Sequence, residues 1–184
     1  MRNLLSNKQS AAINLFEAFQ EALGDLHERD SYLFSKPKTK GAISHKLAMY
    51  MEAHLRAKQL SYEGFSFDVM LNHTDILLHD RAGKVLVSIM VFHDYIPKGE
   101  IELLKRTMVE GAVLTLAVAF LSGKDYLLIY RVGKETIDYY HYNLAENLSS
   151  LKMSKNRMER YDKEQLSLLK TPRKRRIQKT PSTT

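Results

Sequence analysis

Between residues 65 and 90 the chain reads FSFDVMLNHTDILLHDRAGKVLVSIM, and this stretch constrains the fold more than any other. Phe65, Phe67 and Val69 alternate with polar neighbours, the period-two signature of a half-buried strand. Asn72 and His73 form a turn, after which Ile76, Leu77 and Leu78 make a short buried strand. Asp80 to Gly83 turns the chain again. Residues 85–92, VLVSIMVF, are then apolar almost throughout, as a central strand covered on both faces would be.

The flanking sequence supplies the covering layers. Ile13, Phe16, Phe19, Leu23 and Leu26 recur at helical spacing, which predicts a helix over residues 7–29 with one buried stripe. Residues 30–41 contain Pro37, Gly41 and three alternate lysines, Lys36, Lys38 and Lys40, and read as a loop. A second helix is expected from about Ile43 to Leu60, with Ser44 as N-cap and Leu47, Tyr50, Met51 and Leu55 on the packed face. After the apolar strand, Pro97 precedes a helix predicted over 98–109, with Ile101, Leu104 and Met108 inward. Strands are expected at 113–121, 126–132 and 136–142. Tyr139, Tyr140, His141 and Tyr142 fall in the last of these, where alternate aromatics pack on the core more readily than they stack on bases. The order is helix, helix, three strands, helix, three strands, an α/β sandwich whose central strand is the third.

At 184 residues and 44% hydrophobic content the chain can bury one proper core. A single domain is therefore expected over residues 1–150. The absence of cysteine removes disulfides and thiolate metal sites and fits a reducing, cytoplasmic setting. The start of the chain has no continuous apolar segment of the signal-peptide kind, and the longest apolar run, 112–121, is too short for a membrane helix. No membrane association is expected.

The formal charge of +7 is concentrated at one end. From Lys152 onward there are 11 Lys and Arg against 3 Asp and Glu, leaving 17 against 18 before it. Met158, Tyr161, Leu166 and Leu169 predict an amphipathic helix over 151–170, which could dock on the body or on a second copy in a homodimer. Residues 171–184, with Arg173, Lys174, Arg175, Arg176 and Lys179, form a basic flexible tail able to neutralise phosphates without sequence preference. Lys36, Lys38, Lys40, His45 and Lys46 are further candidates for contact with a nucleic-acid backbone. Glycine-rich phosphate loops, HExxH and GxSxG are all missing, and the seven histidines are not paired at metal-ligand spacing.

With FDVMLNHTDILLHD, KVLVSIMVF, GEIELLKR, AVLTLAVAFL and DYLLIYRV in this order, the chain resembles the PD-(D/E)xK superfamily. The resemblance covers a core of about 42–142 and implies a restriction-endonuclease-like fold, a central mixed sheet flanked by helices, and DNA as partner. The family's metal-binding aspartate falls on Asp75, with Thr74 where the family has proline, and its (D/E)xK pair falls on Ser88 and Met90. A neutral hydroxyl and a thioether replace the carboxylate and the ammonium. Mg²⁺ needs several hard oxygen ligands, and methionine cannot stabilise charge on a phosphate under attack. The expected function is a catalytically inactive nuclease-fold protein that binds nucleic acid, or an accessory subunit of a DNA-processing complex of a phage or mobile element; no cofactor is expected. The alternative is an active endonuclease using Mg²⁺ or Mn²⁺ at Asp75 with migrated groups: Glu52 as carboxylate and Lys98 or Lys105 as lysine, with His93 and Asp94 further possibilities. A protein-interaction module is the second alternative.

Overall fold

Two long helices lead into a sheet. The computed structural model describes residues 2–3, 8–36, 38–71, 74–96, 100, 111–121 and 123–156. Helix α1 (Lys8–Asp30) buries Leu15, Phe19, Leu23 and Leu26, a stripe at helical spacing. Ile13, expected on that stripe, is 48% exposed, and Leu15 stands in its place. A 3-10 turn (Ser31–Ser35) then leads toward α2 (Lys40–Ala57). This helix starts earlier than its apolar pattern suggested. Thr39 is its N-cap residue, and Ser44 lies inside the helix, where its Oγ donates back to the Lys40 carbonyl at 2.9 Å. Ile43, Leu47, Met51 and Leu55 form the buried face.

Strands β1 (Arg2–Asn3) and β2 (Leu60–Ser61) form a short parallel pair. The main sheet contains β3 (Ser66–Leu71), β4 (Thr74–His79), β5 (Val85–His93), β6 (Leu114–Phe120), β7 (Tyr126–Val132), β8 (Thr136–Asn143) and β9 (Leu148–Asn156). They lie side by side in chain order. All neighbours are antiparallel except β5 and β6, which run parallel with Val87 beside Leu114 and Met90 beside Ala117. A parallel pair needs a connection that returns the chain to the starting end of the sheet. That connection occupies residues 94–113, and the helix predicted at 98–109 falls outside the described residues except for Glu100, which is helical.

Strand β9 corrects the sequence reading. Leu151 to Asn156, assigned above to an amphipathic helix, pair instead with β8, while residues 157–170 lie outside the described residues. The physical reason is the free edge of β8, whose unpaired peptide groups are satisfied by an adjoining strand whatever its helical propensity. Each apolar residue that set the helical spacing, from Met158 onward, comes after this strand. With seven strands in the sheet, the middle position passes from β5 to β6.

The two faces of the sheet carry separate apolar clusters. Ile76, Val87, Leu116 and Ile129 join the buried stripes of α1 and α2. Met90, Ala117, Ala119, Val132 and Ile137 form the cluster on the opposite face. Helix α1 also reaches the far strands: the Tyr142 hydroxyl donates to the Gln20 carbonyl at 3.0 Å, and the Phe16 and Tyr140 rings lie 5.3 Å apart. Gly24 permits this approach, since a Cβ there would meet the Tyr142 hydroxyl at 3.2 Å. Among the described residues no helix is long and apolar enough to cross a membrane.

Phe19 is fully buried between layers, whereas Ile13 is half in solvent. Phe19→Ala is expected to cost about 3–5 kcal/mol, and Ile13→Ala to stay within about 0.5 kcal/mol of the parent. Guanidinium unfolding midpoints at constant m-value check both.

Candidate functional site

Asp75 occupies the second position of β4 and is 3% exposed. A carboxylate taken so far out of water must be paired and hydrogen-bonded. Its Oδ2 accepts the Val91 backbone N–H at 2.7 Å and lies 3.0 Å from the Lys40 ammonium. The same ammonium sits 5.3 Å from the centre of the Phe92 ring, so its charge is shared between a carboxylate and an aromatic face. The first turn of α2 is thereby tied to β4 and to the end of β5.

The next positions of the site are not charged. Ile76 pairs with Ile89, which brings Asp75 and Met90 next in register. Met90 is 4% exposed within the apolar cluster. Ser88 is fully buried between Leu77 on β4 and Thr115 on β6, and its Oγ has no hydrogen-bond partner among the described residues. The cation implied by the family resemblance finds a poor fit in these groups. One carboxylate oxygen is taken by a lysine and a peptide N–H, and the register neighbour is a thioether, so the hard-oxygen set such a cation requires is not assembled from them.

Glu52 does not join Asp75. Twelve residues beyond Lys40, it stands about 18 Å further along α2; there it receives the Arg56 guanidinium at 2.8 Å and the Tyr62 hydroxyl at 3.2 Å. His93 is exposed at the end of β5, with Nε2 3.4 Å from the Thr39 hydroxyl. Asp94 is exposed as well and donates its backbone N–H to the Phe120 carbonyl, closing the end of the β5–β6 pair. Lys98 and Lys105 lie outside the described residues.

The basic candidates divide sharply. Lys36 and Lys38 are exposed in the loop before α2, the Lys36 ammonium lying 5.3 Å from the Tyr32 ring centre. Lys38 holds a left-handed backbone with φ of 61°. His45 is exposed on α2. Lys40 is engaged by Asp75. Lys46 lies 3.5 Å from Oδ2 of Asp30, which is 6% exposed and also accepts the Tyr50 hydroxyl at 2.7 Å. Burial, and after it the Asp30 carboxylate, push the Tyr50 phenol up to about 12. Lys46 therefore neutralises a buried acid. The run from Arg173 to Lys179 lies outside the described residues.

Two other polar clusters are structural in kind. His54 stands between Asp25 and Glu21, its ring nitrogens 2.8 Å and 3.3 Å from their carboxylates, clamping α2 to α1. His79 bonds Asp68 through Nε2 at 2.8 Å and accepts the Arg81 backbone N–H at Nδ1. Of the aromatic run in β8, Tyr140 and Tyr142 pack toward α1 and Tyr139 packs on the opposite face, as strand alternation expects.

The contact between Lys40 and Asp75 escaped sequence reasoning. Three lysines at alternate positions give no local sign of which one turns inward; the sign was available only in the pairing need of a buried aspartate. No protein-family model, curated protein or solved structure matches the chain.

Lys40→Met leaves a charged Asp75 buried and is expected to cost about 3 kcal/mol, whereas Asp75→Asn frees a half-exposed lysine and is expected to cost about 1 kcal/mol. Urea titrations of both single variants and the double variant measure this asymmetry. Ser88→Ala removes a buried hydroxyl that has no partner among the described residues and is expected to raise stability by about 1 kcal/mol, read in the same assay.

Proposed function

We propose that this chain is a nuclease-like scaffold that binds nucleic acid and does not cleave it through Asp75. The observation that carries this reading is the neutralisation of Asp75. In a metal-dependent phosphodiesterase the aspartate must offer its oxygens to a cation, but here Oδ2 is already bonded to the Lys40 ammonium and the Val91 N–H. Ser88 and Met90 add no charged ligand beside it. The mixed sheet, with its parallel β5–β6 pair and an aspartate on the preceding antiparallel strand, supports the restriction-endonuclease-like reading.

Binding follows from the loop before α2. Lys36 and Lys38 point charge into solvent there, and α2 begins without a side-chain cap: the Thr39 hydroxyl donates instead to the carbonyls of Leu33 and Lys36 at 2.8 Å and 3.0 Å. No acidic residue lies in the first turn of α2, so its leading N–H groups, which the Thr39 side chain does not cap, and the two lysines present one positive end. The cationic run 173–179 adds charge of the same sign from the sequence. Such a cationic surface binds phosphates, which suits an accessory subunit of a DNA-processing complex.

Full-length protein with Mg²⁺ or Mn²⁺ is expected to retard linear, branched and single-stranded DNA in gels without cutting any of them. Lys36→Ala and Lys38→Ala should each weaken binding and flatten the salt dependence of log K by roughly 1, and removal of residues 171–184 should weaken it further. Cleavage abolished by Asp75→Ala would defeat the proposal on catalysis; absence of retardation on every substrate would defeat it on binding.

A further inference from the structure

Beside the basic loop, at the carboxyl end of β6, lies a cavity of about 160 Å³. Phe34 and Phe120, with ring centroids 4.7 Å apart, and Leu121, Leu127 and Leu144 make its wall apolar. Among the described residues Ser31, Ser35 and Lys124 are its polar liners, and no carboxylate of these residues lines it. The cavity lies between the 3-10 turn and the β6–β7 turn, with Phe120 at the end of β6, Leu127 at the start of β7 and Leu144 just beyond β8.

We infer that this cavity is a slot for one unstacked base of a single-stranded nucleic acid. The inference rests on the nucleic-acid reading above and assigns that surface a substrate class. Size sets the occupant. Cavities of about 150 Å³ hold one benzene-sized ring, well below the roughly 300–1,000 Å³ that enclose larger ligands. A base pair does not enter; a single ring does. Chemistry favours a base over an aliphatic side chain, because the half-buried Phe34 ring, backed by Phe120 at 3% exposure, gives the slot one aromatic wall for a planar ring, and the Ser31 and Ser35 hydroxyls offer hydrogen bonds to its edge. Charge places the backbone. A nucleotide carries phosphate on both sides of its sugar, and the slot has Lys124 in its lining and Lys36 immediately after Ser35. Duplex DNA reaches such a slot only by flipping a base out of its stack, which opposes binding.

The test compares the full-length protein on a labelled short thymidine oligomer and on a short mixed-sequence duplex, by fluorescence anisotropy at low salt. The wild type is expected to prefer the oligomer by roughly tenfold, as one base–aromatic stack gives. Ser35→Trp, an exposed position whose new ring fills the slot, should abolish the preference by lowering oligomer affinity to the level of the duplex. Lys124→Glu, at an exposed position, should weaken oligomer binding more than duplex binding, and it keeps the test informative should the tryptophan disturb the 3-10 turn. Equal affinity of the wild type for both ligands, or a preference that persists in both variants, overturns the slot while leaving nucleic-acid binding intact. Failure of the wild type to bind either ligand overturns the nucleic-acid reading itself, and the slot with it.

Discussion

The buried carboxylate of Asp75 sets the arrangement around it. A negative charge enclosed by a sheet is tolerable only with a cation at contact distance and a peptide donor in line, and Lys40 and Val91 supply both. Because Lys40 belongs to the first turn of α2, that requirement fixes where the helix begins relative to β4 and β5. The preceding loop is then held over the carboxyl ends of the parallel strands, with Thr39 beside His93 and Phe34 against Phe120. One ion pair thus positions the exposed lysines, the uncapped helix start and the slot together.

The same pairing separates the scaffold from the chemistry that the family resemblance implies. Fold depends on apolar alternation in β4 and β5, which Ile76, Leu78, Val87 and Ile89 provide. Metal-dependent cleavage depends on charged groups on neighbouring positions. Having Ser88 and Met90 at those positions costs the sheet about 1 kcal/mol for the serine hydroxyl and little for the methionine, which fills an apolar layer readily. It leaves the aspartate in need of a partner, and the lysine of α2 answers that need within the fold.

Much of the fold was legible because hydrophobic periodicity is local. The strand at residues 126–132 was read at its observed bounds, and β5 and β6 each within a residue, from apolar runs alone. The errors arose where a partner decided the outcome. Leu151 and Met153 have no strand signature of their own and pair because β8 leaves an edge open. The start of α2 was placed late because Thr39 and Lys40 carry no apolar mark. In the candidate site, Asp75 and the neutral Ser88 and Met90 could be seen in the sequence, and the exposed Lys36 and Lys38 could be named. That Lys40 and Lys46 are engaged by acids, and that Glu52 stands far from Asp75, are facts of three-dimensional distance. No spacing along the chain encodes them.

The bond from Tyr142 to the Gln20 carbonyl joins residues 122 positions apart. Helix α1 precedes the main sheet in the chain, yet Gly24 and Gln20 meet Tyr142, and Phe16 meets Tyr140, only after β8 has been synthesised. Strands β3 to β7 can pair with neighbours as they emerge, save for the parallel step between β5 and β6. The first helix must wait with its apolar stripe only partly covered, chiefly by α2, until nearly the whole sheet is present. Closure of that long loop places the α1–β8 contact late in folding. During synthesis the apolar stripe of α1 goes without these contacts until β8 has emerged, the kind of exposed surface that makes incomplete chains prone to aggregate.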